Sequence, residues 1–322
     1  MEYRYIPGTG LRVSRVCLGA MMFGAKIKEQ PEADRVVAYA LDRGMNFFDT
    51  ADQYADGVSE EMLGKALGSR RRDAVIASKV GFPCIDKKEF SLSRRSILSG
   101  IDGTLKRLGI DYLDIYYLHQ PDYNTPLEES LEALNDVVRA GKVNYIGMSN
   151  YAAWQIMDAV NICEKHGWSR PVITENCYNM LTRGLEDELV PFMQTKRVGL
   201  VNFNPLAGGL LTGKYKIEGP QEGSRYFNNP NYQQRYWRKD NFAAIEALEE
   251  LAAENGLTLL ELAYGWCMAQ PHITSTLLGF SSEAQFKANL AALEKGPVGA
   301  DILAVCDKLW AELSGGRVVY NR

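Results

Sequence analysis

The sequence lacks the patterns that mark a metal centre, a redox pair or a membrane protein. Its six cysteines are widely spaced without a C-x-x-C pair, and it has three histidines, so neither a zinc site nor a thioredoxin-type pair is indicated. No apolar run approaches the ~20 residues of a membrane span. The N-terminus has neither a secretory apolar region nor an Arg-rich transit segment. We therefore expect most of the cysteines to be inert, reduced core residues, and we expect no catalytic metal and a cytoplasmic location.

An excess of basic charge is also missing. The chain of 322 residues has 36 Lys and Arg against 40 Asp and Glu, which gives a net charge of −4. Nucleic acid and anionic membranes are therefore not expected as partners. A hydrophobic content of 46% and a charged content of 24% are typical of an ordinary globular protein.

The sequence does contain a repeated alternation of short apolar strands and amphipathic helices. The predicted strands are 16–18, 45–49, 74–79, 112–119, 143–148, 172–175, 198–203 and 274–278. Strands separated by helices of about 10 to 15 residues indicate a parallel sheet. This number of strands favours a (β/α)₈ TIM barrel over an open doubly wound sheet, and no G-x-G-x-x-G follows the first strand. We predict an α/β fold with one domain spanning residues 1–322.

Local signals refine this prediction. The turn at residues 7–10, Pro-Gly-Thr-Gly, predicts an N-terminal hairpin that plugs the bottom of the barrel. Ser91 and Ser93 are candidate helix caps, and Thr125 with Glu128 has the spacing of a capping box around Pro126. Residues 212–240 are predicted to form one long loop, and long loops on a rigid scaffold are commonly functional.

Ionisable side chains occupy the ends of consecutive predicted strands: Asp49, Tyr54 just beyond it, Lys79 and His119. Because the carboxyl ends of barrel strands share one rim, these residues should converge. Taken singly, Asp49 could cap a helix, Tyr54 could be a loop aromatic, Lys79 a solvated strand end and His119 a core histidine. Taken together they predict a proton-transfer site for carbonyl or alcohol chemistry.

The chain resembles the aldo-keto reductases, most closely the aflatoxin-aldehyde and succinic-semialdehyde reductase branch. The matching segments are DTADQY at 49–54, ASKVG at 77–81, LHQPD at 118–122, GMSNY at 147–151 and NPLAGGLLTGKY at 204–215. The resemblance implies a (β/α)₈ barrel that binds NADP(H) in extended form without a Rossmann domain. It also implies that the protein reduces aldehydes or ketones to alcohols by direct hydride transfer.

The catalytic roles agree between residue chemistry and the resemblance. Tyr54 is the candidate general acid, and the ammonium of Lys79 should lower its pKa toward the operating pH. Asp49 should keep Lys79 charged and in place. His119 should donate a hydrogen bond to the developing alkoxide.

The resemblance places the nicotinamide carboxamide at Ser149, Asn150 and Glu175, with Tyr178 stacking on the ring. Glu175 departs from the usual Gln. A carboxylate only accepts hydrogen bonds, whereas an amide accepts and donates. Glu175 is therefore either protonated by burial, imitating Gln, or ionised and favouring the oxidised, cationic nicotinamide.

The remaining cofactor contacts are also implied by the resemblance. The candidates for the pyrophosphate are Asn204, Pro205, Leu206, Gly208, Leu211, Gly213 and Lys214, with Arg225 as a further phosphate contact. The candidates for the adenosine are Gly279, Ser281, Gln285 and Asn289. Many relatives have Arg where Phe280 and Ser281 stand, so NADP(H) is expected but NAD(H) is possible.

The substrate cleft is predicted from apolar and cationic side chains. Its candidate walls are Met22, Phe23, Phe82 and Trp237, each of which could equally be ordinary packing. Arg235 and Arg322 resemble positions that bind a substrate carboxylate in the semialdehyde-reducing branch, and guanidinium groups suit planar carboxylates.

Three other functions remain open at this stage. The chain could be a cofactor-sensing regulatory subunit, because the β subunits of potassium channels share the fold and the site. It could work mainly as an alcohol or sugar dehydrogenase. A Schiff-base aldolase using Lys79 is disfavoured, because pairing with Asp49 would keep the amine protonated. The expected assembly is a monomer or a homodimer.

Overall fold

The computed structural model describes residues 1–83 and 89–315. The chain opens with a two-stranded antiparallel hairpin, β1 (Tyr3–Tyr5) and β2 (Arg12–Ser14). The barrel strands are β3 (Val16–Gly19), β4 (Phe47–Asp49), β5 (Val75–Val80), β6 (Leu113–Leu118), β7 (Val143–Ser149), β8 (Ile173–Cys177), β9 (Gly199–Phe203) and β10 (Ser275–Leu278). They follow one another in chain order around a closed parallel barrel, and β10 pairs with β3 to complete it. The predicted (β/α)₈ fold is confirmed.

Helices surround the barrel in the order that the periodicity predicts. They are α1 (Gln30–Asp42), α2 (Val58–Leu67), α3 (Arg94–Leu108), α4 (Leu127–Arg139), α5 (Ala153–His166), α6 (Leu189–Lys196), α7 (Pro230–Tyr236), α8 (Lys239–Glu254), α9 (Leu259–Ala269), α10 (Glu283–Glu294) and α11 (Ala300–Leu313). The apolar faces of these helices pack on the outward side chains of the strands and form the larger hydrophobic core. Among the described residues, no helix is long and apolar enough to cross a bilayer.

The barrel interior has its own small core. It includes Cys17, Phe47, Ile115, Tyr117 and Val201, all fully or almost fully buried. Two hairpin-region side chains join this core: Ile6 and Val13 are 0% exposed. The predicted N-terminal plug is therefore confirmed, and its apolar side chains cover the amino ends of the strands.

Two local predictions were wrong. The predicted loop 212–240 contains α7, which Asn229 caps by accepting a hydrogen bond from the Tyr232 amide. The predicted capping box of α4 does not form, because the Thr125 hydroxyl donates to Asp122 at 2.7 Å and Pro126 occupies the N-cap. The Ser93 cap of α3 is confirmed, since its hydroxyl accepts from the Ser96 amide.

Candidate active site

Strand alternation decides which side chains face the barrel interior at the carboxyl rim. Successive side chains of a strand point to opposite faces. Phe47, Ala77 and Tyr117 lie in the interior core, so Asp49, Lys79 and His119, two residues further along each strand, share that face. The structure brings these three residues together, as the sequence predicts.

Lys79 forms the centre of the site. Its side chain is 0% exposed, and its ammonium donates to an Asp49 carboxylate oxygen and, at 3.0 Å, to the carbonyl of Thr50. Burial opposes the charge, but the carboxylates of Asp49 and Glu175 outweigh it and raise the pKa of Lys79 above its ordinary value. The ammonium therefore stays charged in a site shielded from water.

Tyr54 lies above this pair, in the short 3₁₀ turn Tyr54–Gly57. The Lys79 ammonium is 5.3 Å from the centre of its ring. Loss of water raises the pKa of the Tyr54 phenol, while the charge of Lys79 and a hydrogen bond from it act in the opposite direction. Lys79 therefore lowers the pKa of Tyr54, as expected, but burial raises it by more. The phenol keeps its proton at neutral pH.

His119 and Phe82 form one wall beside Tyr54. The His119 ring lies 5.9 Å from the Tyr54 ring and 4.9 Å from the Phe82 ring, edge-on in both cases. Phe82 is partly exposed and packs against Phe90 at 5.3 Å. A polar imidazole and an apolar ring therefore border the same space next to the phenol.

Glu175 reaches the same cluster from across the barrel. Its carboxylate oxygen Oε2 is 3.4 Å from the Lys79 ammonium. Its side chain is 5% exposed. Burial and the neighbouring Asp49 raise the pKa of Glu175 to about 8, with Lys79 opposing the shift. Burial likewise raises the pKa of Asp49, against the pull of Lys79.

Ser149 and Asn150 lie next to Glu175 on the rim. Ser149 pairs with Glu175 in the register of β7 and β8, and its hydroxyl donates to the Glu175 carbonyl at 2.9 Å. The Asn150 amide donates to the carbonyl of His119 at 2.9 Å, with its backbone in the left-handed region at φ 64°. Ser149, Asn150 and Glu175 therefore lie next to one another at the rim.

The glycine-rich segment after β9 forms an irregular turn, Ala207–Thr212. Gly208 has φ 68°, and a Cβ there would lie 2.7 Å from the Tyr226 hydroxyl, so only glycine fits. Leu206 and Leu211 are buried and can offer a ligand only their backbone. The backbone amides of Gly209 and Leu211 both donate to the Leu206 carbonyl, so hydrogen bonds within the segment hold the turn.

Cationic and polar side chains flank this turn. Lys214 is exposed and lies over the Tyr215 ring. Arg225 donates to the Tyr232 hydroxyl at 3.2 Å, and that hydroxyl lies 3.5 Å from the Asn204 side chain at the end of β9. The two cations therefore belong to the segment that follows β9 and contains the predicted pyrophosphate contacts Pro205 and Gly213.

The predicted adenosine site is organised around the start of α10. The backbone amide and hydroxyl of Ser281 both donate to the Gln285 side chain, at 2.6 and 2.8 Å. The Asn289 amide donates to the carbonyl of Gly279 at 2.9 Å. Phe280 points into the core against Phe23 and Phe286.

Tyr178 is not brought to the site. It is 0% exposed, its ring packs against Trp266 at 5.0 Å, and its hydroxyl donates to Glu186 at 2.5 Å. It lies three positions after Glu175, so alternation turns it to the outer face of the barrel. Phe203 takes the inner position instead. It pairs with Cys177 in the register of β8 and β9 and is partly exposed at the rim.

The predicted substrate residues lie in different environments in the structure. Phe23 is 0% exposed and belongs to the outer core, so it cannot border a cleft. Met22 is partly exposed at the rim after β3. Trp237 packs among Tyr215, Tyr226 and Phe242, and Arg235 is exposed on α7. Arg322 lies outside the described residues.

Cys177 lies at the rim, although the sequence predicts most of the cysteines to be buried and inert. It is partly exposed on the interior face of β8, and its sulfur is 3.1 Å from the Tyr236 hydroxyl. This contact places the end of α7 over the rim between β8 and β9. Counting two positions from Glu175 would have found it.

The sequence of this chain is similar to those of known proteins. A model of the Aldo/keto reductase family matches residues 15–311. Aflatoxin B1 aldehyde reductase member 2 of Mus musculus is 37% identical over 325 residues, covering 95% of this chain and 87% of that protein. Aldo-keto reductase family 7 member A3 of Homo sapiens is 35% identical over 308 residues, covering 91% and 92%.

A different kind of relative is equally similar. A probable voltage-gated potassium channel subunit beta of Oryza sativa subsp. japonica is 35% identical over 304 residues, covering 92% of this chain and 93% of that protein.

Proposed function

This chain belongs to the aldo/keto reductase family of oxidoreductases acting on carbonyl groups, and we propose that it reduces aldehydes or ketones to alcohols with NADPH and Tyr54 as the acid. The observation that supports the proposal most strongly is the buried pair of Lys79 and Asp49 directly beneath Tyr54. A charged amine held without water next to a protonated phenol is an arrangement suited to proton delivery.

A nicotinamide dinucleotide fits the residues that are present. Gly208 lets Tyr226 and Tyr232 pack directly against the turn after β9, and the rim offers the side chains of Ser149, Asn150 and Glu175. Glu175 forms an ion pair with Lys79 through Oε2, and its carboxyl group can also accept from the NH₂ of a carboxamide. Phe203 supplies an aromatic face beside these groups. We assign the stacking role to Phe203 in place of Tyr178.

The bound cofactor supplies the hydride that the carbonyl carbon receives. The protein's part is to place the carbonyl and to supply the proton. Tyr54 gives its hydroxyl proton to the carbonyl oxygen as negative charge develops there, and the C=O bond becomes CH–OH. Lys79 stabilises the phenolate left behind, and Asp49 holds Lys79 in position. His119 orients the carbonyl oxygen, and Phe82 excludes water from one side.

Preference for the phosphorylated cofactor rests on charge. Lys214 and Arg225 lie in the segment after β9 without a carboxylate salt-bridge partner among the residues placed in the structure, whereas the exposed arginines Arg35 and Arg43 are paired with Glu283 and Glu294. Cations available to a ligand favour the extra phosphate of NADP(H). Substrates with an apolar body suit the partly exposed side chains of Phe82 and Met22.

The test is the substitution Tyr54→Phe with a panel of aldehydes and ketones, followed at the nicotinamide absorbance. We expect kcat to fall about 10²- to 10⁴-fold, because a positioned general acid is lost, while the Kd for NADPH stays nearly unchanged. Phe90→Leu, which changes an aromatic behind Phe82 but no proton donor, is the matched control. Unchanged turnover in Tyr54→Phe would contradict the role of Tyr54, and loss of NADPH binding would contradict its separation from the cofactor site.

A regulatory function is a second candidate, favoured by the similarity to the potassium channel subunit beta of Oryza sativa. A cofactor sensor would bind NADPH and convert aldehydes very slowly or not at all. Single-turnover oxidation of bound NADPH by a simple aldehyde separates the two functions, because a reductase completes it rapidly and repeats it.

A further inference from the structure

One ammonium lies between two carboxylates in the barrel interior. Lys79 contacts Asp49 from β4 and Glu175 from β8, and all three side chains are at most 5% exposed. Asp49 and Glu175 also lie within hydrogen-bonding reach of each other. Two carboxylates in contact require a proton between them or a second cation.

Unpartnered oxygen atoms point to the missing proton. Asp49 Oδ2 and Glu175 Oε2 are both buried and have no hydrogen-bond partner among the described residues. Lys79 donates to the other oxygen of Asp49. Glu175 Oε2 lies 3.4 Å from the Lys79 ammonium but forms no hydrogen bond with it. Buried acceptors of this kind are costly to leave unsatisfied, and a proton placed between the two groups satisfies both.

Lys79 is the cation that contacts Glu175 in the described part of the chain. His119, a further titratable group at this rim, lies beside the Tyr54 ring at the end of β6. The titratable groups that act on it or respond to its charge are Asp49 on β4, Tyr54 in the following turn, Lys79 on β5, Tyr117 on β6 and Cys17 on β3. Lys79 is the cation of this set. With both carboxylates ionised, the buried cluster would therefore have a net charge of −1.

We propose that Asp49 and Glu175 share one proton, and that the protein releases this proton to solvent when the cofactor bound beside Glu175 is oxidised and cationic. The inference rests on the proposed function, because it needs a nicotinamide at this rim. It goes further in linking the redox state of the cofactor to a proton that is separate from the one Tyr54 transfers.

The physical reason is charge balance. A reduced nicotinamide is neutral and leaves the shared proton in place. An oxidised nicotinamide has a positive ring, which stabilises the ionised carboxylate of Glu175 and favours loss of its proton. The raised pKa of Glu175, about 8, means that the proton is present at neutral pH and available for release. A glutamine at this position could not respond in this way, because its amide does not titrate.

The consequence is a cofactor preference that depends on pH. Affinity for the oxidised cofactor should rise with pH below about 8, because binding releases a proton, while affinity for the reduced cofactor should not rise. The ratio of the two Kd values should change by up to about 10-fold per pH unit. The phosphates of NADP⁺ and NADPH titrate alike, so their contribution cancels in this ratio.

The experiment measures proton release directly. NADP⁺ and NADPH are titrated into the protein by calorimetry at pH 7 in two buffers of different ionisation enthalpy, and the difference in heat gives the protons released. We expect NADP⁺ to release close to one proton more than NADPH. The Kd ratio across pH 6 to 9, from fluorescence titrations, is an independent measurement on the unaltered protein.

Two variants assign the proton to its residue. Glu175→Gln should abolish the difference in proton release and flatten the Kd ratio with pH. Asp114→Asn is the matched control, since it removes a buried carboxylate near the amino end of β6, away from the rim. Asp114 contacts Arg71 there at 2.9 Å. This variant should behave like the unaltered protein.

The outcomes separate this inference from the proposed function. Equal proton release by both cofactors would overturn the inference while leaving the reductase intact. A difference that persists in Glu175→Gln would overturn it as well, because the proton would belong elsewhere. If neither cofactor binds, both the proposed function and the inference fall.

Discussion

At the level of single residues, the site depends on which face of its strand each side chain occupies. Asp49, Lys79 and His119 could be predicted because each ends a strand, and rim positions converge in any parallel barrel. Tyr178 could not be placed by strand ends alone. It follows Glu175 by an odd number of positions, which turns it outward onto Trp266. The odd number of positions between Glu175 and Tyr178 indicates the face that Tyr178 occupies, whereas its residue type does not.

Phe203, in place of Tyr178, is expected to stack on the nicotinamide ring. Phe203→Ala should weaken NADPH binding by about 5- to 10-fold, because a stacking aromatic contributes roughly 1 kcal/mol. Tyr178→Phe should leave the Kd unchanged but lower the free energy of unfolding by about 1 kcal/mol, because it removes the hydroxyl bonded to Glu186 and His272. Fluorescence titration and urea denaturation measure the two effects. Equal weakening of NADPH binding by both variants would contradict the assignment.

At the level of elements, the alternation of strands with helices that have a regular apolar stripe could be predicted from the sequence. The sequence did not show α7, which has seven residues in a polar, glycine-containing segment and hence no periodic pattern to detect. The cap of α4 was missed because Asp122 competes for the Thr125 hydroxyl. Such competition between nearby polar groups depends on loop geometry, which residue types alone do not specify.

The backbone conformation at the rim could not be predicted from the sequence either. Non-glycine residues with positive φ follow the ends of three barrel strands: Ala55 and Asp56 after β4, Asn150 after β7, and Asn204 and Ala207 after β9. Asparagine tolerates this region, but alanine does so at a cost of about 1 kcal/mol. Ala55 directly follows Tyr54, so the strain lies where the phenol is oriented.

The cap of α7 allows the function of this helix to be tested. Asn229→Ala removes the acceptor for the Tyr232 amide and should destabilise α7 by about 1 kcal/mol. We expect amide hydrogen exchange within residues 230–236 to accelerate about fivefold or more, and KM for aldehydes to rise more than kcat falls, because α7 covers the rim through Tyr236.

Ser93→Ala is the control for this experiment. It removes the equivalent cap of α3 and should affect overall stability without changing exchange in α7. Unchanged KM in Asn229→Ala, despite faster exchange in α7, would mean that the helix does not border the substrate site.

At the level of the whole molecule, the closed barrel explains both what was predictable and what was not. Strand order and the rim follow from the pattern of elements, and neighbouring strands account for the pairing of Asp49 with Lys79. The approach of Glu175 to Lys79 joins β5 and β8, which are not neighbours in the sheet. Contacts across a barrel depend on its width and on side-chain length, so the sequence suggested an unusual Glu175 but not its contact with Lys79.

This contact should make the stability of the whole chain depend on pH. Glu175 has a raised pKa in the folded protein, about 8 against an ordinary 4.5, so the folded state holds more protons than the unfolded state between these values. Its contribution to stability is therefore present at low pH and lost as pH rises toward 8. Glu175→Gln removes this loss, because an amide remains neutral. The free energy of unfolding of the variant should exceed that of the unaltered protein by an amount that grows from pH 5 to pH 8.

The growth should be on the order of 1 to 4 kcal/mol, since each unit of pKa shift corresponds to about 1.4 kcal/mol. Urea denaturation of both proteins at pH 5, 6, 7 and 8 measures it. Glu246→Gln, on the exposed face of α8, is the control and should follow the unaltered protein at every pH. If the free energies of unfolding of Glu175→Gln and the unaltered protein changed in parallel with pH, Glu175 would be ionised throughout. A carboxylate that is charged in both the folded and the unfolded state does not make stability depend on pH. Lys79 would then balance two buried negative charges, and the proton shared with Asp49 would not exist.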